Sequence, residues 1–313
     1  MDLIEALKKF KDSEGEDFLA QAEIDLSNFQ PEYRKFSIKK PNGSYRKIAA
    51  PNEDTKEILR ALNELMQEDW FVSQELLTDV YSFQRGKNTK MNAQHHVKKD
   101  VVLKLDLKDY FESITLDHLE SAKLWPKSLE GFISRVCFLD GTLPQGAPTS
   151  PTIANWVVGG IILPIVYQAL YNYKILNVDV TAYADDITLS GGKDLAEFYF
   201  DILDYVEKES GFKFNRKKSK WIKRNNKQEI CGIVCNEKTN ISKEKINQCR
   251  GLIHKSKVLS LVGDEDALIK NDQKIRGLYN YIVGIAPKKA QKIMEYRNKK
   301  YNEWNLNYLK AGS

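Results

Sequence analysis

The sequence predicts an α+β fold, and three observations lead to that prediction. Residues 101–107 form a β-rich run that contains Asp106 near its end. Residues 178–190 form a second β-rich run that is interrupted at its middle by two neighbouring acids. Helical patterns fill the segments between and after these runs, near 117–139, 152–173 and 194–210. The resulting order of strands and helices is typical of an α+β domain.

The first 100 residues predict helices and one β-hairpin. Residues 2–30 have an amphipathic pattern with acidic polar positions, which predicts a helical packing layer. Residues 36–51 form two alternating runs around Asn42-Gly43, a dipeptide that favours a tight hairpin turn. Helices are predicted over about 55–70, with Thr55 as the N-cap, and over 90–98.

The last third of the chain has a different pattern. Residues 230–234 predict one more short strand, and the chain from about Ser242 onward is helical and basic without an acid cluster. This change predicts a boundary near residue 237. We therefore expect three regions, at residues 1–100, 101–236 and 237–313.

Composition restricts the class of protein. The 313 residues are enough for two or three packed subdomains, and 42% hydrophobic with 29% charged residues is a globular composition. It excludes collagen-like and wholly disordered chains. The four cysteines contain no C-x-x-C pair, so reduced thiols are expected and a zinc finger is not. The N-terminus has no secretion pattern, and we expect a cytoplasmic protein.

An uncharged stretch at residues 141–173 is long enough to suggest a membrane span. Gln145, Asn155 and Gln168 interrupt its apolar character, and three prolines break its helical continuity. We therefore expect a loop followed by a buried core helix, and no membrane contact.

Charge is unevenly distributed although the net charge is only +5. Residues 213–227 contain eight bases and no acid, and residues 288–310 contain seven bases and two acids. Aromatic residues alternate with these bases, as in proteins that stack nucleic-acid bases between phosphate contacts. The pattern predicts a nucleic-acid partner and makes Lys288, Lys289 and Lys292 candidate contacts to it, although a lysine-rich surface exposed only to solvent is the alternative.

The acids in the two β-rich runs form the candidate catalytic group. Asp185 and Asp186 interrupt strand-forming residues, which places them at a tight hairpin turn. Aspartate also favours turns without any catalytic role, so an ordinary pair of turn residues is the alternative. Asp106 ends the other apolar strand and supplies a third carboxylate. Three such acids suit two Mg²⁺ ions, which prefer carboxylate oxygens and stabilise phosphoryl transfer.

Three motifs resemble those of reverse transcriptases. Tyr183-Ala184-Asp185-Asp186 resembles the catalytic YxDD box, and the segment 106–111 (DLKDYF) resembles the preceding motif of an acid followed by an aromatic residue. Residues 144–151 (PQGAPTSP) resemble the PQG loop of the bacterial enzymes. The resemblance extends over about residues 36–286 and implies a right-hand architecture with fingers, an antiparallel palm and a helical thumb.

A further motif is similar to retron reverse transcriptases. Residues 92–96 (NAQHH) match the NAxxH signature of that group, and residues 276–282 resemble its thumb element. The group tends to carry V-T-G after the palm, whereas this chain has Ile230-Cys231-Gly232 and keeps only the glycine. Within the three regions, this resemblance implies fingers segments interleaved with the palm near 120–150 and a thumb at 237–313.

The resemblance also implies roles for individual residues. Asp106, Asp185 and Asp186 would be catalytic metal ligands, together with the Leu107 carbonyl, and Phe111 would exclude a ribose 2′-OH. Residues expected to contact the nucleotide are Lys39, Arg46, Gln145, Gly146 and Lys218. Lys218 matches a motif whose lysine either protonates the leaving pyrophosphate or contacts phosphate.

Asn92 and His96 of the NAxxH match precede the palm. We expect them to contact RNA or to orient the core, and not to bind a metal, because Mg²⁺ prefers oxygen ligands.

The implied activity is RNA-directed DNA polymerisation from dNTPs. A retron enzyme would bind a structured noncoding RNA, prime from an RNA 2′-OH and copy part of that RNA into multicopy single-stranded DNA (msDNA). The resemblance further implies antiphage defence together with a separate effector protein. Two alternatives remain open, namely another bacterial reverse transcriptase, whether group II intron-like or defence-associated, and a catalytically inactive RNA-binding scaffold.

Overall fold

The computed structural model describes residues 29–40, 43–67, 74–122 and 130–306. The predicted N-terminal helices over 2–30 lie almost entirely outside these residues. The chain divides into two compact units. Unit 1 comprises residues 1–87 and 103–221, and unit 2 comprises residues 88–102 and 222–313. Unit 2 thus resumes at Ile222, upstream of the expected boundary near 237, and the fingers, palm and thumb ranges stay predictions.

The predicted hairpin of unit 1 is confirmed. Strands β1 (Tyr33–Lys39) and β2 (Tyr45–Pro51) are antiparallel, with Lys39 opposite Tyr45, and Asn42 of the turn lies outside the described residues. Helix α1 (Glu53–Leu65) follows.

The predicted N-cap of α1 is wrong. The side chain of Asn52 accepts the Thr55 N–H at 2.9 Å, whereas the buried Thr55 hydroxyl accepts the Glu32 N–H at 3.0 Å. Both residue types favour N-caps, and the helix begins at Glu53, two residues before Thr55, so that Asn52 occupies the cap position.

Unit 1 contains most of a four-stranded sheet, which confirms the α+β class. The sheet has the order β4-β5-β3-β6. Its strands are β3 (Val101–Asp106), β4 (Asp179–Tyr183), β5 (Asp186–Gly191) and β6 (Lys220–Lys223). Strands β4 and β5 pair antiparallel with Tyr183 opposite Asp186, so the two acids lie at the tip of this hairpin as predicted.

Unit 1 also contains several helices. The first three are α3 (Tyr110–Ser113), α4 (Leu116–Ala122) and α5 (Glu130–Cys137), and α8 (Tyr199–Ser210) follows β5. Helices α6 (Ser150–Val157) and α7 (Leu163–Asn172) are joined by a widened π-helical turn at Val158–Ile162. Pro164 cannot donate a helical hydrogen bond, and the widened turn accommodates it.

The stretch Ser150–Asn172 is, among the described residues, long and apolar enough to span a membrane by length and composition. However, 67% of its apolar window is buried inside the protein, and Trp156, Val157 and Val158 are fully buried. This burial agrees with the predicted core helix.

Unit 2 combines a small sheet with three long helices. Helix α2 (Thr89–His95) precedes strands β7 (Glu229–Ile230), β8 (Ile233–Val234) and β9 (Asn240–Ile241). The helices are α9 (Lys243–Leu261), α10 (Glu265–Ile285) and α11 (Pro287–Glu303), which confirms the helical character predicted from Ser242.

The single strand predicted over 230–234 is wrong. Cys231 and Gly232 both have positive φ, +48° and +79°, so the chain turns there and forms two short antiparallel strands. Two consecutive positive φ values characterise the tight hairpin turn that pairs such strands.

Candidate active site

Asp106 and Asp185 meet where β3 runs beside the tip of the β4–β5 hairpin. The Leu107 N–H donates to the Asp185 carbonyl at 2.9 Å, which ties the end of β3 to the turn. On the other flank, the Asn215 N–H donates to the Asp106 carbonyl at 2.7 Å. The Asp106 N–H donates to the Ser219 hydroxyl at 3.0 Å. Backbone pairing on both sides therefore fixes the end of β3.

The turn that carries Asp185 is strained. Ala184 has φ of +54°, the left-handed region that costs a residue with a Cβ roughly 1–2 kcal/mol. Such conformations persist only where surrounding contacts hold them, and they concentrate at functional sites.

A cavity of about 670 Å³ opens beside the two acids. Its walls bring together residues from the β1–β2 hairpin, the end of β3, the 144–151 loop and the 211–219 segment. Eight of the predicted site residues line it: Arg46, Asp106, Leu107, Phe111, Gln145, Gly146, Asp185 and Lys218.

Burial and like charge act together on the acids. Burial raises the pKa of Asp185 above its usual value, and the nearby Asp106 carboxylate raises it further. Lys218 and Arg46 oppose that shift. Burial also raises the pKa of Asp186, which Lys104 partly offsets. Two carboxylates held in this way attract a cation, because ionising them without one is unfavourable.

Lys218 supplies the closest positive charge. Its ammonium lies 3.0 Å from both carboxylate oxygens of Asp106, and this hydrogen bonding raises the pKa of Lys218. The lysine side chain is 60% exposed, whereas the Asp106 side chain is 11% exposed. The cation therefore reaches a buried acid from the solvent side.

The loop at 144–151 is docked onto β2 by backbone contact. The Ala49 N–H donates to the Gln145 carbonyl at 2.9 Å. Gly146 has φ of +132°, and a Cβ at this position would lie 2.6 Å from the Ala49 carbonyl oxygen. Ser150 donates to the Pro144 carbonyl at 2.8 Å and closes the loop. Glycine is thus required at 146 for two reasons, its conformation and the close approach of β2.

The oxygen atoms of these acids are suitable ligands for a metal ion, but their side chains are not arranged around a common metal position. No group of three or more His, Cys, Asp or Glu residues in the described part of the chain is arranged to hold a metal ion. Asp106 and Asp185 nevertheless line one cavity, and their oxygen donors are the kind that hard divalent cations prefer. The Lys218 ammonium now serves as the counter-charge of Asp106.

Two of the ten residues predicted to bind metal or nucleotide do not line this cavity. Lys39 is exposed on β1 and is not among the described lining residues, whereas its neighbour Lys40 is. Asp186 is likewise not among the lining residues, but its charge interacts with both Asp185 and Asp106.

Direct RNA contact by Asn92 and His96 is not supported. The two residues are 1% and 0% exposed, so neither presents a surface to RNA. Asn92 donates to the Cys231 sulfur at 3.3 Å, beside the strained turn of unit 2. This environment favours the other expectation, that these residues orient the core.

The three candidate lysines of α11 differ in exposure. Lys288 and Lys292 are exposed, whereas Lys289 is half-buried and donates to the Ile241 carbonyl at 3.4 Å. Only Lys288 and Lys292 are therefore fully exposed to solvent.

An aromatic and cationic cluster on α9 and α11 was not predicted as a unit. His254 contacts Tyr296 at 2.5 Å, and its ring lies 5.5 Å from the Trp304 ring. Cations lie over these rings at 5.6–5.8 Å: Arg250 over Tyr296, and Lys257 and Lys300 over Trp304. Positions 250, 254 and 257 share one helical face, which was the available sequence signal.

The basic run at 213–227 is largely paired with acids from elsewhere in the chain. In unit 1, Arg216 contacts Asp204 at 2.7 Å and Glu207 at 3.0 Å. In unit 2, Arg224 contacts Glu237 at 3.0 Å and Lys227 contacts Glu229 at 2.9 Å. The run is thus less available to a polyanion than its sequence suggests.

Comparison with known proteins identifies bacterial sequence relatives at 25–32% identity. The chain is 27% identical over 288 residues to the Retron Mx65 reverse transcriptase of Myxococcus xanthus, covering 85% of this chain and 64% of that protein. It is 32% identical over 204 residues to the Retron Ec73 reverse transcriptase of Escherichia coli, covering 60% and 63%. It is 25% identical over 295 residues to the Retron Ec86 reverse transcriptase of Escherichia coli, covering 89% and 85%.

The chain thus spans a little under two thirds of the first two relatives. Among solved structures, a telomerase from Candida albicans matches with a TM-score of 0.49 at 11% identity, covering 89% of this chain and 60% of that one. The profile of the family described as reverse transcriptase (RNA-dependent DNA polymerase) matches residues 38–254. The predicted resemblance to retron reverse transcriptases is confirmed by the three bacterial relatives, and the chain belongs to the reverse transcriptase family.

Proposed function

We propose that this protein is a retron RNA-directed DNA polymerase that copies part of a structured noncoding RNA into msDNA. One observation carries the catalytic part of this proposal. Two acids from separate strands, a basic residue of the β1–β2 hairpin, an aromatic residue and the 144–151 loop share one cavity large enough for a nucleotide.

Asp106, Asp185 and Asp186, with the Leu107 carbonyl, are the proposed ligands of two Mg²⁺ ions. Reverse transcriptases depend on divalent metal, and such ions supply charge stabilisation at the transferring phosphoryl group. The raised pKa values of Asp185 and Asp186 support this assignment. Burial and, to a smaller extent, neighbouring acids disfavour the ionised carboxylates, and a bound cation would offset both effects. Lys218 is then free to contact phosphate, as its exposed side chain permits.

The remaining cavity residues bind and select the nucleotide. Arg46 and Lys40 line the cavity and suit the triphosphate, Arg as a fork of donors and Lys as a point charge. Phe111 lines the same cavity and is proposed to exclude the ribose 2′-OH. Replacing Phe111 with Ala should raise ribonucleotide incorporation relative to deoxyribonucleotide, whereas an unchanged ratio would assign Phe111 to packing against Tyr110.

Unit 2 is the proposed platform for the noncoding RNA. The His254 ring lies tilted against the Tyr296 and Trp304 rings, and this aromatic cluster is proposed to stack unpaired bases. Arg250 and Lys257, which lie over these rings, are the proposed phosphate contacts, whereas Lys300 is paired with Glu303 at 2.6 Å. Lys288 and Lys292 extend this basic surface along α11. A separate effector protein, a cytoplasmic location and a role in antiphage defence complete the proposal, and they rest on the retron resemblance.

To test this proposal, the nucleic acid that copurifies with the wild-type protein is sequenced and compared with that from the Asp185→Asn variant. A branched RNA–DNA species from the wild type alone supports a retron enzyme. Unbranched complementary DNA indicates another bacterial reverse transcriptase, and RNA without DNA from either protein indicates a scaffold. Asp204→Asn is the matched control, because this exposed acid pairs with Arg216 and lies outside the cavity.

A further inference from the structure

The Tyr183–Asp186 turn receives support from a residue 102 positions earlier in the chain. The N–H of the left-handed Ala184 donates to the hydroxyl oxygen of Ser82 at 2.8 Å. Ser82 is completely buried. The strained turn at Ala184 therefore has a hydrogen-bond partner outside its own hairpin.

A second buried residue orients the Ser82 hydroxyl. Ser82 donates its proton to the Asn155 side-chain oxygen at 2.8 Å, and the Asn155 amide donates back to the Ser82 carbonyl at 2.7 Å. Asn155 lies on α6 and is 2% exposed. Because the hydroxyl proton is given to Asn155, a lone pair of the same oxygen faces Ala184.

The segment before Ser82 is held against β4. The Tyr81 N–H donates to the Ala182 carbonyl, and the Ala182 N–H donates to the Asp79 carbonyl, both at 2.8 Å. The Lys87 ammonium donates to three carbonyls of this segment at 2.6–2.9 Å, those of Leu77, Thr78 and Val80.

Close packing adds a second constraint on this segment. Gly159, in the widened turn after α6, lies so near the Leu76 carbonyl oxygen that a Cβ there would collide with it. The segment that places Ser82 beside the turn is therefore held by strand β4 on one side and by the turn at Gly159 on the other.

We propose that Ser82 and Asn155 are positioning residues that hold the Asp185 carboxylate in its reactive place by fixing the Ala184 turn. Neither residue touches the reacting atoms in this proposal. The inference rests on the proposed polymerase function and adds to it how the catalytic acid is held, since small displacements of a catalytic group cost a large part of its rate.

The primary test is Ser82→Ala, with Ser82→Cys as a near-isosteric second variant whose sulfur is a weak acceptor. We expect kcat for primed extension to fall by about 10- to 100-fold, with the KM for dNTP and the affinity for RNA unchanged within about twofold. Hydrogen exchange in the peptide 181–187 should become faster in both variants, while exchange in 101–106 stays as in the wild type. This exchange readout does not depend on activity.

Ser210→Ala is the matched control, because Ser210 is also buried and its hydroxyl also accepts a backbone N–H, that of Phe212 at 3.2 Å. It should leave exchange at 181–187 unchanged. Asn155→Ala combined with Ser82→Ala should lose no more kcat than either alone, because the two residues act as one unit.

Wild-type kcat and exchange in folded Ser82→Cys would overturn the proposal, as would additive losses in the double variant. The polymerase function is judged separately. If Asp185→Asn extends primers as well as the wild type, the catalytic assignment fails. If only the Ser82 variants behave as wild type, the positioning role alone fails.

Discussion

Each unit buries a carboxylate beside a cation, and the two pairs are built differently. In unit 1, Asp106 faces the largely exposed Lys218 and shares a cavity with Asp185. In unit 2, Asp272 accepts from Arg297 at 2.8 Å and from Arg276 at 2.7 Å, and both Asp272 and Arg297 are almost completely buried. The first pair leaves an acid beside another acid at an open cavity, whereas the second neutralises its acid inside a helical core.

This difference separates a catalytic candidate from a structural one. A buried acid that lies beside another acid requires a cation to ionise, and a bound metal ion or an exposed lysine can supply that charge. A buried acid that is paired with two arginines is already neutralised within the folded protein, and breaking such a pair lowers stability. Burial alone does not distinguish the two cases.

The largest expected effect comes from replacing the two acids in turn. Asp106→Asn should reduce primed extension by about a thousandfold or more while the melting temperature stays near that of the wild type. Asp272→Asn should cost about 3–5 kcal/mol of unfolding free energy, because Arg297 loses its buried counter-charge. Extension assays and thermal unfolding on both variants check this. A destabilised Asp106→Asn with full activity would reverse the comparison.

Two glycines of one segment provide the next test. Gly146→Ala should lower the free energy of unfolding by about 1–3 kcal/mol and reduce dNTP affinity, because its Cβ collides with Ala49. Gly141→Ala is the control, since Gly141 has φ of +80° but nothing within 4 Å of the added Cβ. Denaturant titration should separate strain alone from strain plus collision. Equal losses of unfolding free energy in the two variants would show that strand β2 shifts to accommodate the added Cβ at position 146.

RNA affinity measured against salt tests the exposed surface of unit 2. Replacing Lys288, Lys289 and Lys292 with Ala should lower the log–log salt slope by about 2, not 3, because Lys289 is engaged with the Ile241 carbonyl. Trp304→Ala should weaken binding by about 1–3 kcal/mol with little change in slope, since stacking is not ionic. If the triple variant keeps the wild-type affinity and slope, these lysines are only solvated.

The smallest effect concerns pH and the metal-free protein. Because Asp185 and Asp186 have raised pKa values, the folded chain binds more protons than the unfolded chain between the usual Asp pKa and those raised values. The free energy of unfolding should therefore fall as pH rises through that window. Asp185→Asn should flatten this fall.

Lys218→Met should extend the same fall to higher pH, because Lys218 lowers both pKa values. Lys217→Met, at an exposed neighbouring lysine, is the control. Thermal unfolding at several pH values in a chelator measures both. A pH profile that is identical in wild type and Lys218→Met would remove Lys218 from the electrostatics of the site.

Much of the fold followed from local patterns. The hairpin around Asn42-Gly43, the strand ending at Asp106 and the β4–β5 hairpin were all predicted, because alternation and turn chemistry depend on neighbouring residues. The cap of α1 and the 230–234 segment were predicted incorrectly. In the first case Glu32 engages the Thr55 N-cap candidate, and in the second two residues adopt positive φ.

The candidate site was predicted through its motifs, but its supports were not. Asp106, Asp185 and the 144–151 loop belong to short patterns with a recognisable order. Ser82, Asn155 and Lys87 belong to no such pattern, and their roles arise from contacts between segments up to 102 residues apart. Likewise, His254 joins Tyr296 only across two helices.

By itself, the sequence determined the class of fold, the carboxylates at the ends of adjacent β segments and the reverse transcriptase resemblance, because each is written in a few contiguous residues. Only the tertiary structure decided which charges remain available. The basic run at 213–227 contains no acid along the chain, yet folding brings Asp204, Glu207 and Glu237 against it. Charges interact through space, so the free cations of a protein are those whose partners the fold has not supplied.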